Sequence, residues 1–172
     1  MTKSRVIKIK EEQFIKTTNA IKNNNTLCII LKFIYKFLPF VLFIGYPIMI
    51  VYLLVVWDLR FIKVITIPAV TFLAVTVMRI LINRTRPYER YSFTPVFPKD
   101  TKGKSFPSRH TASAFIISYA FLYINPVLGV ISMVISAFLS LLRPVVGVHY
   151  VSDVVAGFLI SSLFGIIFFF II

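Results

Sequence analysis

The sequence predicts an all-α integral membrane protein: a bundle of five transmembrane helices with an interfacial N-terminal helix. Three observations predict it. Of the 172 residues, 58% are apolar and only 15% are charged, where a soluble domain averages about 45–50% and about 25%. Mean hydropathy is +0.88. The apolar residues collect in long runs, and about 20 such residues cross the ~30 Å hydrocarbon core of a bilayer. This composition excludes a disordered chain, a disulfide scaffold and an ordinary water-soluble enzyme. The 19 Lys and Arg against 6 Asp and Glu leave a formal charge of +13. In so apolar a chain that excess must sit in loops and ends. It implies anionic partners: lipid headgroups, a phosphate-bearing substrate, or both. Nucleic acid is not expected, because most of the surface is owed to lipid. The single Cys28 forbids an internal disulfide.

Two segments divide the chain. Residues 1–26 are polar and basic, with Lys3, Arg5, Lys8, Lys10, Lys16 and Lys22. Ile7, Phe14 and Ile21 recur every seven residues, a narrow apolar stripe that would hold a helix on the membrane surface beside its lysines. Residues 27–172 carry the spans. The first apolar stretch is late and long and lacks a small-residue cleavage site, which argues against a signal peptide. Phe37 to Trp57 is 21 residues without a charge and ends on an interfacial Trp. Leu27 to Lys36 extends that helix, with Lys32 and Lys36 snorkelling. Span 2 runs from Phe61 to Ile82. Residues 83–109 form the longest polar loop, with four prolines and seven Arg or Lys. Span 3 runs from Thr111 to Ile124, and Asn125-Pro126 signals a turn. Span 4 runs from Val127 to Leu142, where Arg143-Pro144 should end it, since the residue before a proline is pushed out of helical geometry. Span 5 runs from Ser152 to Ile172. With five spans, loops 83–109 and 143–152 share one face of the membrane with the N-terminus.

Three clusters on that face carry chemistry. Arg79 and Arg86-Pro87 come first; a charge inside a span points to function, though Arg79 could also snorkel at a helix end. Pro107-Ser108-Arg109-His110 comes second. Ser108 suits an N-cap, and the free N–H groups behind it would face an anion, but the same pattern also suits a plain helix start. Arg143, His149 and Asp153 come third. His149 and Asp153 are four apart and can meet on one face, or Asp153 could simply cap span 5. Together they supply cationic forks, a hydroxyl, two imidazoles and a carboxylate. Phosphoryl transfer without a metal needs that inventory: arginines on the phosphate oxygens, one His attacking phosphorus, another protonating the leaving group. Neither His has a partner at metal-ligand spacing.

Arg79-x6-Arg86-Pro87, Pro107-Ser108-Arg109-His110 and Arg143-x5-His149-x3-Asp153 resemble the three signature motifs of the type 2 phosphatidic acid phosphatases. That superfamily includes bacterial undecaprenyl-pyrophosphate phosphatases and vanadium haloperoxidases. The resemblance implies His149 as the nucleophile that forms a phosphohistidine, Asp153 as its orienting carboxylate and His110 as the general acid. It implies Arg79, Arg86, Ser108, Arg109 and Arg143 as the phosphate cradle, with no cofactor and no metal. The chain departs from the pattern at Arg79, where Lys is usual, at Arg109, where Gly is frequent, and at Leu142, where Ser is usual. The expected function is a membrane lipid phosphatase acting on an isoprenoid pyrophosphate, phosphatidic acid or phosphatidylglycerol phosphate. The rivals are a lipid phosphotransferase using the same phosphohistidine, a silent lipid- or anion-binding membrane protein, and a small transporter, which lacks the paired broken spans of inverted repeats. The resemblance implies an extracytoplasmic active site; the N-terminal lysines, by the positive-inside rule, favour the cytoplasm.

Overall fold

In the computed structural model, which describes the backbone of residues 3–172 and the side chains of residues 11–172, the chain is helical throughout its regular elements. They are α1 (Lys3–Asn23), α2 (Asn25–Val55), α3 (Phe61–Ile82), the short α4 (Pro87–Arg90), α5 (Arg109–Ile124), α6 (Pro126–Val145) and α7 (Val151–Ile166), which continues as a π-helical stretch, Ile167–Ile171. Four segments are long and apolar enough to cross a membrane: Asn25–Val55, Phe61–Arg90, Pro126–Val145 and Val151–Ile171. The fifth expected span, α5, has only 16 residues, about 24 Å at 1.5 Å per residue.

α5 is short and less apolar because its neighbours are protein. Ala112, Ala114, Phe115, Ile116, Ile117, Ser118, Ala120 and Phe121 are all buried, so the helix is covered around its whole circumference. α2, α3, α6 and α7 surround it and turn Phe40, Leu73, Phe138 and Leu159 outward. Lipid is as apolar as leucine, so helices in a bilayer gain little from hiding apolar surface from one another; close backbone approach takes over. The sequence supplies it with small residues. Gly157, Ser161 and Gly165 recur every four residues on the buried side of α7, and Gly129, Ser132, Ser136 and Ser140 line α6. A Cβ on Gly129 would lie 2.3 Å from Leu122 Cα, and one on Gly157 2.7 Å from the Ser108 carbonyl oxygen. Ser118 Oγ and Ser136 Oγ meet at 2.9 Å between α5 and α6.

Two sequence expectations change. Span 4 does not stop at Arg143-Pro144; α6 runs through to Val145. A proline there forfeits one backbone bond and crowds the Ser140 carbonyl, but it does not end the helix. What ends the helix is Gly147, at φ +81°. Its N–H donates to the Pro144 carbonyl at 3.0 Å and the Val148 N–H to the Arg143 carbonyl at 3.2 Å, the paired bonds of a Schellman stop. This extra turn carries Arg143 inside the helix, 3% exposed.

The second change concerns α1. Part of the stripe expected to hold it on the membrane packs on protein instead. Phe14 lies against Tyr91, Phe93 and Tyr150, with ring centroids 5.7–6.1 Å away. Ile21 is buried with Val96, Val146 and Val148, and the Lys22 ammonium donates to the Thr94 carbonyl at 2.8 Å. Ile7 lies outside the described side chains. α1 therefore braces loop 91–97 and the end of α6, on the face that carries the three motifs.

The close approach at Gly129 yields a direct test. Gly129→Val should force α6 away from α5 and lower the thermal midpoint of the detergent-solubilised protein, by an amount equivalent to about 1–3 kcal/mol. A melt followed by tryptophan fluorescence or circular dichroism measures it.

Candidate active site

Three helix ends and one long loop bring the motif residues together. α3 ends at Asn83 in left-handed geometry, φ 40°. That turn aims the chain back over the bundle, and Arg79 remains buried one turn inside. Its Nη1 donates to the Pro107 carbonyl at 2.7 Å. Arg86, 2% exposed, donates from Nε to the Gly103 carbonyl at 3.0 Å and from Nη1 to the Val148 carbonyl at 3.3 Å. Gly103 is also pinned through its N–H, which donates to the Glu89 carboxylate at 2.9 Å. Its φ is +58°, and a Cβ there would meet Asn83 Oδ1 at 2.6 Å, so the loop closes on a position that suits glycine alone. Arg143 Nη1 donates to Tyr35 Oη at 2.5 Å, and its guanidinium lies 4.4 Å from the Tyr35 ring centroid. Its Nε is buried and unpaired.

His149 and Asp153 meet as their spacing predicted, and Asp153 also caps α7. Asp153 Oδ2 accepts from the Tyr150 N–H at 3.0 Å and lies 3.3 Å from His149 Nδ1. The two readings of Asp153 were not alternatives: a single oxygen does both. A carboxylate only accepts, so it selects the tautomer with the proton on Nδ1 and leaves Nε2 with a free lone pair. His149 is 1% exposed. Burial, reinforced by the Arg86 charge, holds its pKa down at about 4 against the pull of Asp153, so the ring is neutral near pH 7.

Ser108 stands at the N-cap position of α5, yet its side chain caps nothing. Its hydroxyl accepts from Thr111 Oγ1 at 3.0 Å, and its N–H donates to the Asp153 backbone carbonyl at 2.8 Å, tying α5 to α7. The next N–H groups of α5 have no intrahelical acceptor, as at any helix start. Arg109 is exposed, its guanidinium 5.3 Å from the Phe72 ring centroid. His110, one residue on, lines a cavity of about 380 Å³ with Arg143, Lys99, Tyr35, Pro39, Phe40 and Phe43.

Four residues that border the site were not singled out in the sequence. Arg84 Nη1 donates to Asp153 Oδ1 at 2.7 Å, and Ser105 Oγ donates to Asp153 Oδ2 at 2.5 Å. Lys99 lies within electrostatic reach of Arg86, Arg143, Arg79 and Arg109; burial first, and then these charges, lowers its pKa to about 8. Tyr35 comes from the far side of the chain on α2. Arg84 and Lys99 were visible only as members of a basic loop, and Ser105 and Tyr35 sent no signal at all.

Chemically the arrangement suits an anion. Arg79, Arg86, Arg143 and Lys99 converge on it, while the carboxylate beside them, Asp153, is already matched by Arg84. Residues 60–172 match the family model of the PAP2 superfamily. The chain belongs to the PAP2 superfamily. Two PAP2 relatives are the lipid A 1-phosphatases of Rhizobium etli, 37% identical, and Rhizobium johnstonii, 36% identical, each over 93 residues. The aligned stretch is 50% of this chain but only 39% and 37% of those proteins, so the match spans about two-fifths of their length. The fold resembles the crystal structure of Aquifex aeolicus LpxE, with a TM-score of 0.70 and 22% identity over 91% of this chain and 92% of that one.

Two pH dependences follow for this PAP2 site. Folded His149 takes up its proton near pH 4 and unfolded His149 near 6.5. Between those values the unfolded chain binds more protons, so stability falls as pH drops through that window. At the alkaline end Lys99 loses its charge near pH 8. Inorganic phosphate should bind more weakly as pH rises past that value, and Lys99→Met should remove the alkaline limb and cost about tenfold in affinity. Thermal melts between pH 4 and 6.5 measure the first, and calorimetric titration of phosphate across the pH range measures the second.

Proposed function

We propose that this chain is a membrane-embedded lipid phosphatase that hydrolyses a phosphate or pyrophosphate monoester of a lipid through a phosphohistidine on His149. The observation that carries the reading is a buried neutral imidazole whose Nδ1 lies 3.3 Å from a carboxylate, with the buried Arg86 and Arg143 within electrostatic reach of the ring. His149 Nε2 attacks phosphorus. Arg79, Arg86 and Arg143 stabilise the charge on the equatorial oxygens, and the N–H groups at the start of α5 add dipoles. His110 takes up a proton once the anionic phosphate is bound, passes it to the leaving oxygen as the bond to phosphorus breaks, and takes one back from the water that cleaves the phosphohistidine. Asp153 holds the imidazole and stabilises its positive charge once phosphorylated.

The lipid class we favour is one of isoprenoid pyrophosphate, phosphatidic acid, phosphatidylglycerol phosphate or, in keeping with the two rhizobial relatives, a phosphorylated glycolipid. Its tail would stay among the lipids while its headgroup reaches the cavity beside Pro39, Phe40 and Phe43. In this reading α5 is the fifth span, shorter than the others because it crosses inside the protein rather than through lipid. The active site opens on the extracytoplasmic face; protease access to tags on the two termini tests that orientation.

His149→Ala should abolish turnover, whereas His110→Ala should slow it strongly and let a phosphoenzyme accumulate. Asp153→Asn keeps the cap on α7 through its amide oxygen but gives up the ion pair with Arg84, so it should fold with a lower thermal midpoint and lose about 10²–10⁴ in kcat. Phosphate release from a labelled lipid, read beside a thermal melt, separates these variants, and retention of half the parent rate by Asp153→Asn would reduce Asp153 to a cap.

Activity should persist in EDTA and be blocked by orthovanadate, which mimics the trigonal phosphoryl group in flight. Activity lost in EDTA and restored by magnesium would overturn the mechanism.

A further inference from the structure

Arg84 and Ser105 stand outside the residues assigned to catalysis, yet they make the two shortest contacts to the Asp153 carboxylate. We propose that they are positioning residues that clamp Asp153 between them, one on each oxygen, and thereby set both the angle and the proton affinity of His149. The proposal rests on the phosphatase reading for its kinetic consequence but not for its geometry.

The clamp is built, not incidental. Asp153 is 0% exposed, and a buried carboxylate needs a matching charge and full hydrogen bonding. Arg84 supplies the charge at 2.7 Å on Oδ1. It is itself held against Tyr150, its guanidinium carbon 4.0 Å from the ring centroid, with Nη1 also donating to Ser152 Oγ at 2.8 Å. Ser105, 0% exposed, donates to Oδ2 at 2.5 Å and stands 3.4 Å from His149 Nδ1. The two residues are tied together, since the Ser105 N–H donates to the Arg84 carbonyl at 2.8 Å. One backbone bond between the end of α3 and the loop before α5 thus places both donors.

The consequence is electrostatic. Oδ2 receives Ser105, the Tyr150 N–H and His149, while Arg84 offsets the charge from Oδ1. Each donor makes Asp153 a poorer acceptor for the imidazole proton, so His149 stays neutral and nucleophilic. The other titratable and charged groups around the pair are Arg79 from α3, Arg86 at the start of α4, His110 from α5, Arg143 from α6 and Lys99 from the loop. Apart from His110 all are cations, and they press in the same direction. Removing Arg84 or Ser105 strengthens the Asp153 hold on the proton without touching that cationic shell.

The test reads His149 directly. The chain has two histidines, so the carbon-13 histidine spectrum of the full chain in micelles has two side-chain signals, which His110→Gln assigns. Arg84→Gln and Ser105→Ala should each move the His149 midpoint upward by about one pH unit. Each should also lower kcat about tenfold or more with little change in KM, while Arg84→Lys and Ser105→Thr recover most of both. If Arg84→Gln does not fold, Ser105→Ala, which deletes a single oxygen, reads the same quantity. A His149 midpoint unmoved in the folded variants overturns the proposal, whatever happens to the rate. A midpoint that moves in a protein whose parent releases no phosphate from any lipid phosphate upholds the clamp and overturns the phosphatase reading instead.

Discussion

Asp153 is a carboxylate with no exposure to solvent, and satisfying it organises everything near it. Its side chain accepts from the chain before α7, from the loop before α5, from the end of α3 and from His149. Its backbone carbonyl accepts from Ser108 at the head of α5. The end of α3, the segment from Ser105 to Ser108 ahead of α5 and the turn before α7 are therefore anchored on one residue. A single buried charge left unpaired would cost several kcal/mol, so these segments can reach their places only together. The geometry of the His149–Asp153 pair and the packing of three helix ends become one problem with one solution.

Around that anchor the protein accumulates like charge. Arg79, Arg86, Arg143 and Lys99 repel one another, and Asp153 does little to relieve them because Arg84 already balances it. Backbone carbonyls and the Tyr35 hydroxyl hold the three arginines in place without neutralising them. Such a cluster is unfavourable while empty and favourable around an anion. Binding to a preorganised cradle needs no reorganisation as charge shifts during reaction, which is where electrostatic catalysis draws its strength.

The membrane environment explains the rest of the architecture. With lipid outside, helices cannot be held by hiding apolar area from water, so α5 is gripped through Gly129, Gly157, Gly165 and the serines of α6. That grip keeps the head of α5, with Ser108 and His110, fixed against α7. A shift of α5 by a fraction of an ångström would move His110 relative to His149, so small residues far from the chemistry contribute to it. α1 plays a comparable part from outside, bracing loop 91–97 through Phe14 and Ile21.

By itself the sequence determined the helical membrane class, the bounds of α3, the turn at Asn125-Pro126 and the three clusters with their order. It could do so because apolar runs and i to i+4 spacing are local properties. His149 and Asp153 were legible as a pair for the same reason. Tertiary structure alone decided that Arg84, Ser105, Tyr35 and Lys99 border the site, since the partners of the first three lie 69, 48 and 108 residues away and Lys99 reaches it only by lining the cavity. It also decided that Gly147 rather than Pro144 ends α6, because a Schellman stop needs the chain beyond it to turn back. It made part of the α1 stripe a protein contact and made α5 short, because an apolar face looks alike in the sequence whether lipid or another helix will cover it.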